Sequence, residues 1–245
     1  MGRLSRVLRG MWYRNDGRTP WLRRILVVIF AFLVPLPILY LVVFRFLPVP
    51  LTPQMTLDYV TLQSVHQSWR ASGDISFNLK RAVVGSEDQN FCNHHGFDWG
   101  DIQQAVKQHE RHPKKPIRGA STISQQVART LFLLPVRSWV RKGVEAYLTV
   151  LVEGIWPKER ILTAYLNLVD WGQGNYGAEA ASEAYFHVPA SMLSKSQAAR
   201  LATVLPNPDK WHASHPGPYV RDRTETVMTR AWEVERDDLD WCFKK

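Results

Sequence analysis

Residues 140–166 read VRKGVEAYLTVLVEGIWPKERILTAYL, and the spacing of their apolar side chains decides the class of fold. Val144, Leu148, Leu151 and Ile155 recur at the period of one helix face, and Pro157 stands where the first turn of a further helix tolerates a missing N–H. That second helix carries Ile161, Leu162, Tyr165 and Leu166. Upstream, Asp98 is placed to cap a helix bearing Ile102, Ala105 and Val106. Ser121 is placed to cap one bearing Ile123, Val127 and Leu131, with the loop 112–116 between them. Downstream, residues 171–177 form a turn-rich break, and helices are expected over 178–186 and 195–205. Ser194 and Gln197 make a capping box for the last of these, and Pro206-Asn207-Pro208 stops it. Alternating β patterns are scarce, so a mainly α chain with an all-α domain is expected.

Residues 25–44, ILVVIFAFLVPLPILYLVVF, contain no charge and approach the roughly 20 residues that carry a helix across hydrocarbon. A transmembrane helix is expected over 25–47, bent rather than ended by Pro35 and Pro37. The segment 1–24 holds Arg3, Arg6, Arg9, Arg14, Arg18, Arg23 and Arg24 against Asp16 alone, so the positive-inside rule places it in the cytoplasm and exports the chain beyond Leu47. Trp21 and Tyr40 suit interfacial anchors. A cleaved signal peptide would have a shorter apolar core and small residues at the cut, which Phe44-Arg45-Phe46-Leu47-Pro48 does not supply. Residues 48–55, rich in proline, read as a stiff linker, and 56–245 as one exported domain.

A chain of 245 residues accommodates one such span and one core. Apolar residues at 45% and charged residues at 22% exclude both disorder and a polytopic membrane protein. The net charge of +9 comes largely from the N-terminal arginines, so it argues for an anionic membrane surface or a phosphate-bearing substrate and not for nucleic acid. No Cys-x-x-Cys or His-Glu-x-x-His spacing suggests a metal site, and whether Cys92 and Cys242 pair is left open.

Three clusters carry candidate chemistry. In residues 87–98, EDQNFCNHHGFD, a carboxylate shielded by aromatic neighbours would have raised proton affinity and act as a general base or acid, although a solvated turn fits the spacing equally. Residues 119–126, GASTISQQ, open a helix whose free N–H groups suit an anion, with Arg129 and Arg137 adding full charges. An ordinary capped helix explains that cluster when it is read alone. Arg141 and Glu145 share a helix face, as a routine ion pair would.

Taken together, the clusters resemble the peptidoglycan glycosyltransferase family, the lysozyme-like domain also found in bifunctional penicillin-binding proteins. The pattern Glu-Asp-x-x-Phe-x-x-His-x-Gly is met by Glu87, Asp88, Phe91, His94 and Gly96, and Gly-(Gly/Ala)-Ser-Thr-Ile-(Thr/Ser)-Gln-Gln by residues 119–126. Arg141-Lys142-x-x-Glu145 matches a third motif, and Lys158-x-x-Ile161-Leu162-x-x-Tyr165-Leu166-Asn167 a fourth. Order and spacing agree from about residue 82 to 208. No serine has lysine three residues on, so the likeness is to the monofunctional branch without a penicillin-binding domain. Arg129-Thr130 departs from the family's commoner Lys-Asn, and arginine and lysine bind phosphate differently.

The resemblance implies a lysozyme-like all-α glycosyltransferase domain that polymerises lipid II onto a growing glycan chain, with inversion and loss of undecaprenyl diphosphate. By carry-over Glu87 is the general base and Glu145 the second catalytic carboxylate. Asp88, Phe91, His94, Ser121, Thr122, Gln125, Gln126, Arg129, Arg137, Lys142 and Asn167 are expected to bind substrate. The resemblance fixes no cofactor and leaves open a divalent cation, Mg2+ or Mn2+, at the diphosphate. The implied location is the bacterial inner membrane, with the catalytic domain periplasmic and other wall-synthesis and division proteins as neighbours. Phe132, Leu133, Leu134 and Trp139 are candidates for a lipid-facing surface. The rival enzyme is a lytic transglycosylase or lysozyme-like hydrolase that cuts finished wall, and a non-catalytic scaffold is the third reading.

Overall fold

The computed structural model describes residues 20–61, 63–113, 119–136 and 138–244. Arg3, Arg6, Arg9, Arg14, Asp16 and Arg18, the loop residues 114–116 and the candidate Arg137 lie outside the described residues.

Helices α1 (Pro20–Leu33) and α2 (Pro35–Phe44) meet at Val34. Pro35 has no N–H to give, so the regular ladder is interrupted there. Val34 N still donates to Phe30 O (2.9 Å) and Ile38 N to Val34 O (3.2 Å), which keeps the two pieces in one run. The stretch Arg23–Phe44 is long and apolar enough to cross a membrane, and the rest of the chain buries only 11% of its most apolar window. A core helix would be covered by its own protein, whereas this one is free to meet lipid. It ends at Phe44 and not at position 47, because its last carbonyls are taken up by the domain. Arg160 donates to Phe44 O and to Leu47 O (2.6 Å each), and Trp156 Nε1 donates to Leu41 O (2.7 Å). A cation at the carbonyl end of a helix satisfies both its orphan acceptors and its dipole.

The expected stiff linker is packed against the domain. Val49 is buried, and Thr52 accepts from Met55 N (3.2 Å) to start α3 (Pro53–Val60) inside that segment. Thr as cap with Pro at the first helical position is a start signal that outweighs the proline-rich composition.

The domain is two groups of helices. One contains α4 (Phe77–Glu87), α10 (Lys195–Val204) and α11 (Pro218–Arg236), packed on one another. The other contains α6 (Ile123–Phe132), α7 (Trp139–Ile155) and α8 (Lys158–Leu168), with α2 lying on α7. Helix α5 (Trp99–Arg111) comes after the first motif, and α9 (Ala178–Phe186) after the turn-rich break. Phe91, Trp171, Tyr176 and Phe243 are among the largest fully buried side chains. The mainly α expectation stands. To it the break at 171–177 adds one short parallel pairing, β1 (His66–Gln67) on β2 (Asn175–Tyr176), in which His66 faces Asn175. Gly174 permits this approach: its φ is +74°, and a Cβ there would lie 1.9 Å from Ser64 O.

Several expected caps are realised and two are shifted. Asp98 caps α5, and Ser194 with Gln197 forms the capping box of α10. Helix α6 is capped by Thr122 and not Ser121, because Gln125 completes a capping box with Thr122 and leaves the Ser121 hydroxyl to Lys142 Nζ (3.3 Å). Pro157 is the cap of α8 and lies just outside its first turn.

Cys92 and Cys242 form a disulfide with Cα atoms 5.6 Å apart, closing a separation of 150 residues. Closure of so long a loop removes much unfolded-state entropy, so replacing both cysteines by alanine is expected to cost about 2–4 kcal/mol. Thermal denaturation with and without a thiol reductant checks this: reduction should lower the midpoint of the native chain by about 5–15 °C and leave the double variant unmoved.

Candidate active site

The cleft between the two groups is lined by Ser86, Glu87, Asp88, Asp98, Asp101, Gly119, Ala120, Ser121, Thr122, Gln126, Pro206 and Arg223. It thus joins the first two sequence clusters, which approach from the end of α4 and the start of α6.

Asp88 makes that junction. As the residue that ends α4 it accepts from Ile123 N (2.8 Å), one of the free N–H groups at the start of α6, and it also meets His94 Nε2 at 2.9 Å. Gly96 N donates to His94 Nδ1 (3.1 Å), so Nε2 carries the proton and points it at Asp88. Gly96 O accepts from Thr122 Oγ1 (2.6 Å). With φ at +90°, and a Cβ placed 2.9 Å from Thr149 Cγ2, residue 96 has to be glycine for this loop to close on α6 and α7.

Glu87 is half-buried at the cleft wall. Gln126 Nε2 donates to its Oε2 (3.0 Å), and Tyr165 OH donates to Gln126 Oε1 (3.2 Å), which fixes the amide's orientation. Burial pushes the Tyr165 hydroxyl well up, so it stays a donor. Burial also pushes the Glu87 carboxyl up, against the hydrogen bonds from Gln126 and Ser86 and the nearby charge of Arg223.

Glu145 lies behind the second cluster and is almost fully buried. One of its oxygens pairs with Arg141 Nη1 (2.9 Å) and the other with Lys142 Nζ, which also reaches Ser121 Oγ (3.3 Å) at the cleft edge. The pair that spacing alone leaves as routine is therefore a buried bridge with three members. Arg129 is exposed on the last turn of α6.

Burial makes other expected ligand contacts structural. Phe91 has no exposed surface and carries Lys158 Nζ over its ring at 4.5 Å, so it packs beneath the site and does not touch a substrate. Asn167 is 1% exposed and ties α8 to the chain at Arg70, accepting from Arg70 N (2.7 Å) and donating to Arg70 O (3.0 Å). Gln125 spends its amide oxygen on the Thr122 cap. His94 acts through Asp88. The structure adds Arg223, Tyr165 and Asp101, and of the first candidate cluster it also brings Asp98 to the cleft. Tyr165 falls within the fourth motif, where periodicity places it only on a helix face. Among the described residues no group of three or more His, Cys, Asp and Glu side chains is placed to hold a metal ion. Of the cleft acids, Asp88 is taken up by His94 and Ile123 N, and Asp98 by Asn90 and Asp101 N, so the donor set does not fit a resident cation.

A carboxylate of raised proton affinity, aimed by a tyrosine–glutamine relay into a polar cleft beside basic residues, is the arrangement of an acid–base enzyme acting on a polar, anionic substrate. The chain belongs to the transglycosylase family, whose profile matches residues 54–231. It is 44% identical over 221 residues to the biosynthetic peptidoglycan transglycosylase of Caulobacter vibrioides, covering 90% of this chain and 96% of that protein. It is 49% identical over 174 residues to the protein so named in Pseudomonas aeruginosa, covering 71% and 74%. To the one in Escherichia coli it is 50% identical over 169 residues, covering 69% of each.

Proposed function

We propose that this peptidoglycan glycosyltransferase uses Glu87 to polymerise lipid II. The carboxylate takes the proton of the C4 hydroxyl on one unit's GlcNAc as that oxygen attacks C1 of the MurNAc at the reducing end of the growing chain. The C1–oxygen bond to undecaprenyl diphosphate breaks on the opposite face, so the configuration inverts. The single observation that carries this reading is the Tyr165–Gln126–Glu87 relay, which points an acid of raised proton affinity into the cleft. A base works best when its proton affinity lies near the working pH, and burial moves Glu87 in that direction.

The diphosphate needs charge neutralisation more than a proton. Lys142 at the cleft edge, Arg129 and, from its place in the sequence after the second cluster, Arg137 supply it, together with the N–H of Ser121 just ahead of the α6 cap. Glu145 holds Arg141 and Lys142 in place. Both of its oxygens are occupied by cations, which suits a positioning role better than proton donation.

The segment 1–24 is cytoplasmic in this reading, Arg23–Phe44 spans the inner membrane, and the domain faces the periplasm. The disulfide suits that oxidising compartment. Trp139 (92% exposed), Val140 and Leu134 stand out beside the span, whose α1 accepts a hydrogen bond from Tyr147 at Leu33 O (2.9 Å), and they suit contact with lipid. Of the four residues expected there, Phe132 and Leu133 are half-buried against the core.

Purified full-length protein offered lipid II and, separately, finished wall tests the assignment. Polymer from lipid II is expected. Wall breakdown without polymer would transfer the site to a hydrolase.

A further inference from the structure

We propose that Arg223 is a positioning residue of the transfer reaction: brought to the cleft wall by the crossing of α4 and α11, it supplies the positive charge that offsets the acidic lining around the Glu87 carboxylate. The inference rests on the reading of Glu87 as the base.

The crossing is set by a glycine. A Cβ on Gly85 would lie 2.9 Å from the backbone carbon of Arg230, so the backbones of the two helices touch at this point and no larger residue fits without moving α11. Arg223 is seven residues before Arg230, about two helical turns, and so lies on the same face. That register brings it to the cleft that Glu87 lines, two residues past the glycine. Further bonds hold α11 along this line: Gln89 Nε2 to Glu233 (3.3 Å), Arg81 to Glu235 (2.7 Å), and the Cys92–Cys242 disulfide beyond its end.

The electrostatic need is plain from the lining. Glu87, Asp88, Asp98 and Asp101 are all acidic, and among the described lining residues Arg223 is the sole cation. The groups facing Glu87 come from every element packed around it. Its own chain adds Asp88, α5 and its cap add Asp98 and Asp101, and α8 adds Tyr165. Helix α6 adds the more distant Arg129, α7 adds Lys142 at the cleft edge with its charge shared by Glu145, α10 and the turn after it offer Ala202 O and Pro206 without charge, and α11 adds Arg223. Like charges and burial both favour the protonated acid, which cannot act as a base. Arg223 opposes them, and its guanidinium makes no hydrogen bond or ion pair among the described residues that would spend its charge elsewhere.

The test is the pH profile of kcat/KM for lipid II polymerisation by the full-length protein, compared for native enzyme, Arg223→Gln and Arg223→Lys, with thermal melts to verify folding. Arg223→Gln should move the acid limb to higher pH, with an about 3- to 10-fold loss on that limb that alkaline pH recovers. Arg223→Lys should restore the native limb. A uniform loss at every pH, or a profile identical to the native one, overturns the proposal. Glu87→Gln run alongside separates the two ideas: if it is inactive while the Arg223→Gln limb stays put, only the role of Arg223 fails. If Glu87→Gln still polymerises, the base assignment fails and takes this proposal with it.

Discussion

Glu87→Gln is expected to lower polymerisation at neutral pH by about 10²- to 10⁴-fold, the usual worth of a positioned general base, while the protein folds and becomes slightly more stable. The variant keeps an acceptor for Gln126 Nε2, so the relay from Tyr165 survives and only the charge is lost. The stability change has a definite sign. Burial raises the folded-state proton affinity of Glu87 above its unfolded value. The folded chain therefore binds the proton more tightly, and the contribution of this group to stability is fullest below the unfolded pKa and falls as pH rises through the folded one. At pH 7 the native enzyme carries the cost of a buried charge, which glutamine removes. A gain on the order of 1 kcal/mol is expected, typical of a site strained for function. Melting curves at pH 7 and at pH 4 check it: the gain should be present at the first and vanish at the second. A variant less stable than the native chain at pH 7 would contradict the burial argument.

Glu145→Ala should behave in the opposite way. This carboxylate is also buried, yet both its oxygens are matched by cations, and its removal leaves Arg141 and Lys142 facing each other without a counter-charge. Breaking such a bridge from one side commonly costs about 3–5 kcal/mol. Lys142 is 42% exposed and solvent takes up part of its charge, so a value of about 3 kcal/mol is expected, or roughly 6–12 °C in the melting midpoint. Activity should fall as well, because Lys142 then loses the anchor that sets it against Ser121 Oγ at the cleft edge. Melting curves and initial rates measured on the same preparation separate the two acids. Glu87→Gln should be stable and inactive, and Glu145→Ala unstable and impaired. If Glu145→Ala melts with the native chain, the bridge carries no structural load.

The contrast shows how two glutamates with the same apparent standing in a sequence acquire different work. Each is legible as a candidate through its motif. Neither its burial nor its partners are, because these are properties of the space around a residue. The same holds for Phe91 and Asn167, which the motifs present as contacts and which packing turns into supports.

Interactions that close within one helical turn are readable in the chain. The apolar period of 140–166, the Ser194–Gln197 box, the cap at Asp98 and the uncharged run at 25–44 all involve neighbours a few residues apart, where covalent geometry alone brings groups together. Even there, Ser121 loses the cap to Thr122, since a one-residue shift is decided by which box closes. Tertiary packing alone decided the rest: Arg223 and Glu87 on one cleft through the close crossing at Gly85, Tyr165 behind Gln126 across 39 residues, and Cys92 bonded to Cys242 across 150. Such pairs depend on the angle and register at which helices cross. Those are set by the summed packing of many side chains, and no local pattern encodes them.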